Sequence, residues 1–144
     1  MKEYKVEVTE GSTRWYNLEG KRHREDGPAI EYSNGDKWYY INGQLHREDG
    51  PAIVCMNGDK WYFINGKRHR EDGPAVEWKN GSKSYYIKGE CHREDGPAIE
   101  WVNGDKCYFI NGEELTEEEF NSRTKTCEGK VVEIEGVKYK LTKI

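Results

Sequence analysis

His46-Arg47-Glu48-Asp49-Gly50-Pro51-Ala52 occurs four times in the chain, the other copies beginning at His23, His69 and His92. The spacing is 23 residues each time. A fixed period of that size marks a repeat architecture, in which one supersecondary unit is stacked on itself. All four histidines and all four prolines of the protein lie inside these copies.

Each unit reads outward from this stretch in the same way. After Gly27-Pro28 comes a short extended run, Ala29-Ile30-Glu31-Tyr32, and then Asn34-Gly35. Asn-Gly is a strong hairpin signal, because a type I′ turn needs positive φ at both central residues. Lys37-Trp38-Tyr39-Tyr40-Ile41 is rich in aromatic and β-branched residues and reads as the returning strand. Asn42-Gly43 makes a second tight turn before the next copy of the motif. Units starting at Ala52, Ala75 and Ala98 repeat the pattern, with Lys88-Gly89 as the second turn of the third.

A two-residue loop at Asn34-Gly35 sorts the side chains by alternation. One face then carries Ile30, Tyr39 and Ile41, columns that barely vary from unit to unit. This is the expected packing face. The other carries Ala29, Glu31, Trp38 and Tyr40 in looser columns and is expected to be partly exposed.

The ends depart from the pattern, as the ends of a stacked array must. Residues 1–22 read as a degenerate half-repeat and cap, with Trp15-Tyr16 lying 23 residues before Trp38-Tyr39 and Gly11-Ser12 as the turn. Residues 23–112 hold the four repeats. Residues 113–144 read as a C-terminal cap. Thr116 and Glu119 form a capping box for a helix to about Arg123, and Val132–Ile134 and Val137–Leu141 form a hairpin around Glu135-Gly136. The fold class is therefore all-β: one elongated antiparallel sheet of repeated hairpins, with a short helix and a capping hairpin.

Composition narrows the function. Only 34% of residues are hydrophobic and 35% are charged, yet 12% are aromatic, which points to a thin folded body rather than a disordered chain. The net charge of −4 and the acidic neighbours of each motif arginine argue against nucleic-acid binding through a basic patch and against an anionic membrane surface. No apolar run is long enough for a membrane span, and the N-terminus does not read as a signal peptide. The four cysteines fall in different columns without CxxC spacing, so reduced thiols are expected.

The 23-residue hairpin unit, with its Asn-Gly turn, Gln or Lys and then His, resembles the MORN repeat in its bacterial and viral variant form. The resemblance covers roughly residues 12–112. The step from His46 to Gly50 is longer than the His-Gly-x-Gly of the usual unit, so the likeness is to a variant. It implies an elongated antiparallel array serving as scaffold, dimerisation or binding module. The short chain and its tail from Gly129 to Ile144 also resemble small phage proteins, which implies a bacterial host cytoplasm.

The repeated histidines do not read as a metal centre. Equivalent residues one hairpin apart are separated by about 10 Å, too far to share one ion. Four copies of one surface feature are also unlike the single pocket of an enzyme. No catalytic residue, metal or cofactor is therefore expected. Turn chemistry and cross-strand laddering account for His46, Arg47, Glu48, Asp49, Gly50 and Pro51. The aromatic stripe Trp38, Tyr40, Trp61, Phe63, Tyr86 and Phe109 is the candidate partner-binding surface, since aromatic residues dominate interface hot spots. The leading expectation is a non-enzymatic protein-binding module, in a phage a stoichiometric inhibitor of a host or defence protein. The alternatives are a sponge for a nucleotide or phosphorylated ligand, built on the His46 and Arg47 columns, and a structural scaffold. Pairing of cap hairpins between chains would allow a homodimer.

Overall fold

A computed structural model describes residues 2–125, 131–134 and 136–140. Among these residues are one open antiparallel sheet of eleven strands, four two-stranded ladders and one helix. The sheet begins with β1 (Lys5–Val8) and β2 (Ser12–Tyr16). Each repeat then adds two strands to it. In the first repeat these are β3 (Ile30–Tyr32) and β4 (Lys37–Trp38), and β4 pairs onward with β7 (Ile53–Val54) of the next.

After Trp38 the chain leaves the long sheet and forms a second hairpin, β5 (Tyr40–Ile41) with β6 (Gln44–Leu45). Tyr39 is the switch point. Its N–H donates to Ala52 of the next unit at 2.8 Å, and its carbonyl accepts from His46 N–H at 3.1 Å. The second hairpins are linked in turn: Gly43 N–H bonds to Arg22 carbonyl, and Gly66 N–H to Leu45 carbonyl, each at 2.8 Å.

The two Asn-Gly turns of a unit differ. Asn42 and Gly43 have φ of 49° and 83°, the type I′ conformation expected. At the first turn only Gly35 is positive, at 94°. Gly35 N–H donates to Tyr32 carbonyl at 2.9 Å, and Tyr32 N–H to Asp36 carbonyl at 3.0 Å. This is a three-residue loop, a type I turn closed by a left-handed glycine. The extra residue moves the register by one and exchanges the faces of the returning strand. Ile30 faces Trp38, not Tyr39.

The expected packing face is corrected accordingly. Ala29, Ile30 and Tyr40 form the buried cluster, with Tyr32, Trp38 and Leu45 packed against it. Ala52, Ile53, Ala75, Val76 and Ala98 continue the core. Tyr39 and Ile41 are half-buried and lie on the opposite side with the His-Arg-Glu-Asp units.

The half-repeat is corrected by one residue as well. Trp15 stands in the place of Tyr39, 24 residues before it: its N–H bonds to Ala29 carbonyl and its carbonyl to His23 N–H. The longer turn over Asn17–Lys21 restores the 23-residue phase at His23.

At the far end β16 (Lys106–Ile110) and β17 (Glu113–Leu115) close the array. Helix α1 (Glu117–Lys125) follows, capped by Thr116 as expected: Glu119 N–H donates to Thr116 Oγ1 at 3.2 Å, and Glu119 Oε2 accepts from Thr116 N–H at 2.8 Å. Phe120 of α1 is buried against Tyr108 at 4.9 Å between ring centres. β18 (Val131–Ile134) and β19 (Val137–Lys140) form the terminal hairpin; Glu135 and Leu141 lie outside the described residues.

Candidate functional site: the His-Arg-Glu-Asp ladder

Each residue of the seven-residue motif has a different task. Histidine Nδ1 accepts the backbone N–H of the second turn of the following unit: Asn42 to His23, Asn65 to His46, Lys88 to His69 and Asn111 to His92, all at 3.0–3.1 Å. An acceptor at Nδ1 places the ring proton on Nε2.

The arginine guanidinium lies over an aromatic ring. Arg47 covers Tyr39, Arg70 covers Tyr62 and Arg93 covers Tyr85, each 4.0 Å from the ring centre, and Arg24 covers Trp15 at 4.2 Å. Arg47 Nε donates to Asp49 at 2.8 Å and Nη1 to Pro51 carbonyl at 3.3 Å. Arg24, Arg70 and Arg93 also reach a strand carboxylate: Glu31, Glu77 and Glu100. The second unit has Val54 there, so Arg47 lacks this partner. The hydrogen bond from Arg47 holds the Asp49 carboxyl below its ordinary range, as Arg24 does for Asp26.

Gly50 is fixed by space rather than by conformation. A Cβ there would lie 3.2 Å from Arg47 Cζ; at Gly73 the corresponding gap to Arg70 is 3.0 Å. The alanine that ends the motif is fully buried in all four copies.

Glu48, Glu71 and Glu94 are different. Their side chains are 85%, 83% and 83% exposed, and each lies 3.6–3.7 Å from the histidine Nε2 of its own motif. The side chains of Asp49 and Asp72 beside them are 83% and 86% exposed. Between successive motifs lie three equivalent open hollows of about 510, 580 and 580 Å³. Tyr39 and Ile41 line the first, Tyr62 and Ile64 the second, and Tyr85 and Ile87 the third.

The aromatic stripe lies on the other side, with the core. Tyr40 is buried, while Trp38, Trp61, Phe63, Tyr86 and Phe109 are half-buried. The indole Nε1 atoms of Trp38 and Trp61 are buried without a hydrogen-bond partner. In the third and fourth units bulk moves from this column to its neighbour: Ser84 and Cys107 replace tryptophan, and Trp78 stacks on Trp101 at 5.8 Å. Burial, with the nearby Cys107 thiol, pushes the Cys91 thiol up to about 11.

Sequence reasoning missed a second rail at the first turns. Asp36 Oδ1 accepts Met56 N–H at 2.7 Å, Asp59 Oδ1 accepts Lys79 N–H at 2.8 Å, and Ser82 Oγ accepts Val102 N–H at 3.0 Å. The signal was a short acceptor side chain directly after the Asn-Gly of every first turn: Asp36, Asp59, Ser82 and Asp105. Among the described residues no group of three or more His, Cys, Asp or Glu side chains converges as metal ligands, and no helix is long and apolar enough to cross a membrane. No protein-family model matches the chain, and no curated protein matches it.

Proposed function

We propose that the protein is a non-enzymatic binding array, a variant MORN-like repeat, whose ladder face takes an extended cationic segment of another protein. One observation carries this reading. Among the described residues, glutamate is the only motif position repeated in all four copies that no contact closer than 3.5 Å explains in the second, third and fourth copies, where it is more than four-fifths exposed. Histidine, arginine, aspartate, glycine, proline and alanine are accounted for by the fold.

Charge decides the chemistry of the partner. The four motif arginines are occupied over aromatic rings and by carboxylates, whereas the motif supplies eight carboxylates along the same line. Each hollow is lined by two such arginines, but their carboxylate partners and the exposed glutamates leave a phosphate facing like charge, which disfavours a ligand sponge. Lysine or arginine side chains would find an opposite charge at each step and an apolar floor of tyrosine and isoleucine. A stoichiometric inhibitor of a host protein, phage-encoded, would need such a surface and no catalytic group.

The test is the triple variant Glu48→Lys, Glu71→Lys, Glu94→Lys. Binding of a lysine-rich peptide, measured by calorimetry, should weaken about tenfold or more, since each exposed pair contributes up to about 1 kcal/mol. The melting temperature should stay nearly unchanged. Unaltered affinity would reject the ladder face. Loss of binding in Trp38→Ala with the triple variant unaffected would return the site to the aromatic stripe.

A further inference from the structure

The outer edge of β1 is open. Among the described residues β1 ends the strand order of the sheet and pairs only with β2. All four of its residues are exposed, Val6 at 52% and Val8 at 74%. The opposite end is different, because α1 packs its buried Phe120 beside β16 and β17. An exposed strand edge with apolar side chains is a template for another strand.

The backbone phase says which groups are free. Thr9 N–H donates to Ser12 carbonyl at 2.9 Å, so Thr9, Glu7 and Lys5 are the residues bonded to β2. The N–H and C=O of Val6 and Val8 therefore point outward.

We propose that β1 pairs antiparallel with β1 of a second copy, with Val6 opposite Val6. Three two-fold registers use the free groups of Val6 and Val8. Setting Val6 against Val8 puts Glu7 opposite Glu7, which repels. Setting Val8 against Val8 puts Glu7 opposite Thr9 and gains no charge contact. Setting Val6 against Val6 puts Lys5 opposite Glu7 twice, in the closer, non-hydrogen-bonded pairs. Lys5 and Glu7 thus act as self-complementary charges rather than as guards of the edge. Lys5 Nζ already donates to Leu18 carbonyl at 3.1 Å and retains two donors, and Glu7 Oε2 accepts from Tyr16 hydroxyl at 3.0 Å and from Arg14 Nη1 at 3.4 Å, leaving Oε1 for the second copy. The two-fold axis stands perpendicular to the sheet, so both ladder faces look the same way. The dimer itself does not depend on what those faces bind.

Light scattering after size exclusion tests this. The wild-type chain should elute at twice its 16.9 kDa. Lys5→Glu should give the single-chain mass, and Lys5→Glu combined with Glu7→Lys should restore the dimer. Val6→Pro, which removes an N–H that β2 does not use, should also give the single-chain mass while keeping the wild-type circular dichroism. A single-chain wild type at every concentration up to its solubility limit would overturn the proposal. So would a dimer that survives Lys5→Glu, a double reversal that stays monomeric, or open-ended polymers.

Discussion

At the scale of single residues the motif is an arginine clamp. The guanidinium needs a ring beneath it, an aspartate beside it, a proline carbonyl and the gap left by glycine. The second unit is the natural control, because Val54 replaces the strand glutamate that the other three units use. Val54→Glu should therefore stabilise the protein, by about 0.5–1 kcal/mol for a half-exposed charged pair. Urea unfolding measures it; no gain would mean that the ring and aspartate already saturate Arg47. Cys91 offers a second test. Its thiol is pushed up to about 11, so it stays protonated at pH 8. Alkylation of Cys91 should then run about two orders of magnitude slower than in the unfolded chain. Mass spectrometry of quenched samples follows this, and labelling at the unfolded rate would contradict the burial assigned to Cys91.

At the scale of elements, each repeat is two hairpins joined by a switch residue, and each hairpin end is pinned to the next unit by one side chain. The left-handed position of the second turn is asparagine in three units and Lys88 in the other, at φ 51°. A lysine pays the steric cost of that conformation, whereas asparagine offsets it with local hydrogen bonding. Lys88→Asn should raise stability by about 1 kcal/mol. An unchanged melting temperature would show that the turn relaxes around lysine. The same turns show how far the sequence could be read. The period, both hairpins and the helix cap were legible because periodicity and turn residues are local signals. The face assignment was not, because Asn34-Gly35 and Asn42-Gly43 are the same dipeptide in two loop types. What separates them is Asp36, whose N–H is taken by Asn34 Oδ1 at 3.0 Å, stretching the loop to three residues. One residue of register then moved Tyr39 out of the core and Trp38 towards it. The offset at Trp15 escaped for a similar reason: a longer turn restored the phase and hid the shift.

At the scale of the whole molecule, the array repeats at a fixed step. Two strands per repeat advance it by about 9.6 Å, from a strand spacing of about 4.8 Å. Three residues of a polyproline II segment advance by about 9.3 Å. On the function proposed above, the match would let one chain place a cationic side chain at each of three hollows without strain. The candidate site was half legible: the motif stood out at once, but its exposed member emerged only when geometry had accounted for the other six. The most direct measurement is calorimetric binding of three proline-containing peptides of equal charge, with lysine at every second, third or fourth position. Binding should be tightest for the every-third series, and that preference should be lost in the Glu48→Lys, Glu71→Lys, Glu94→Lys variant. Equal affinity for all three spacings, or none for any, would contradict it.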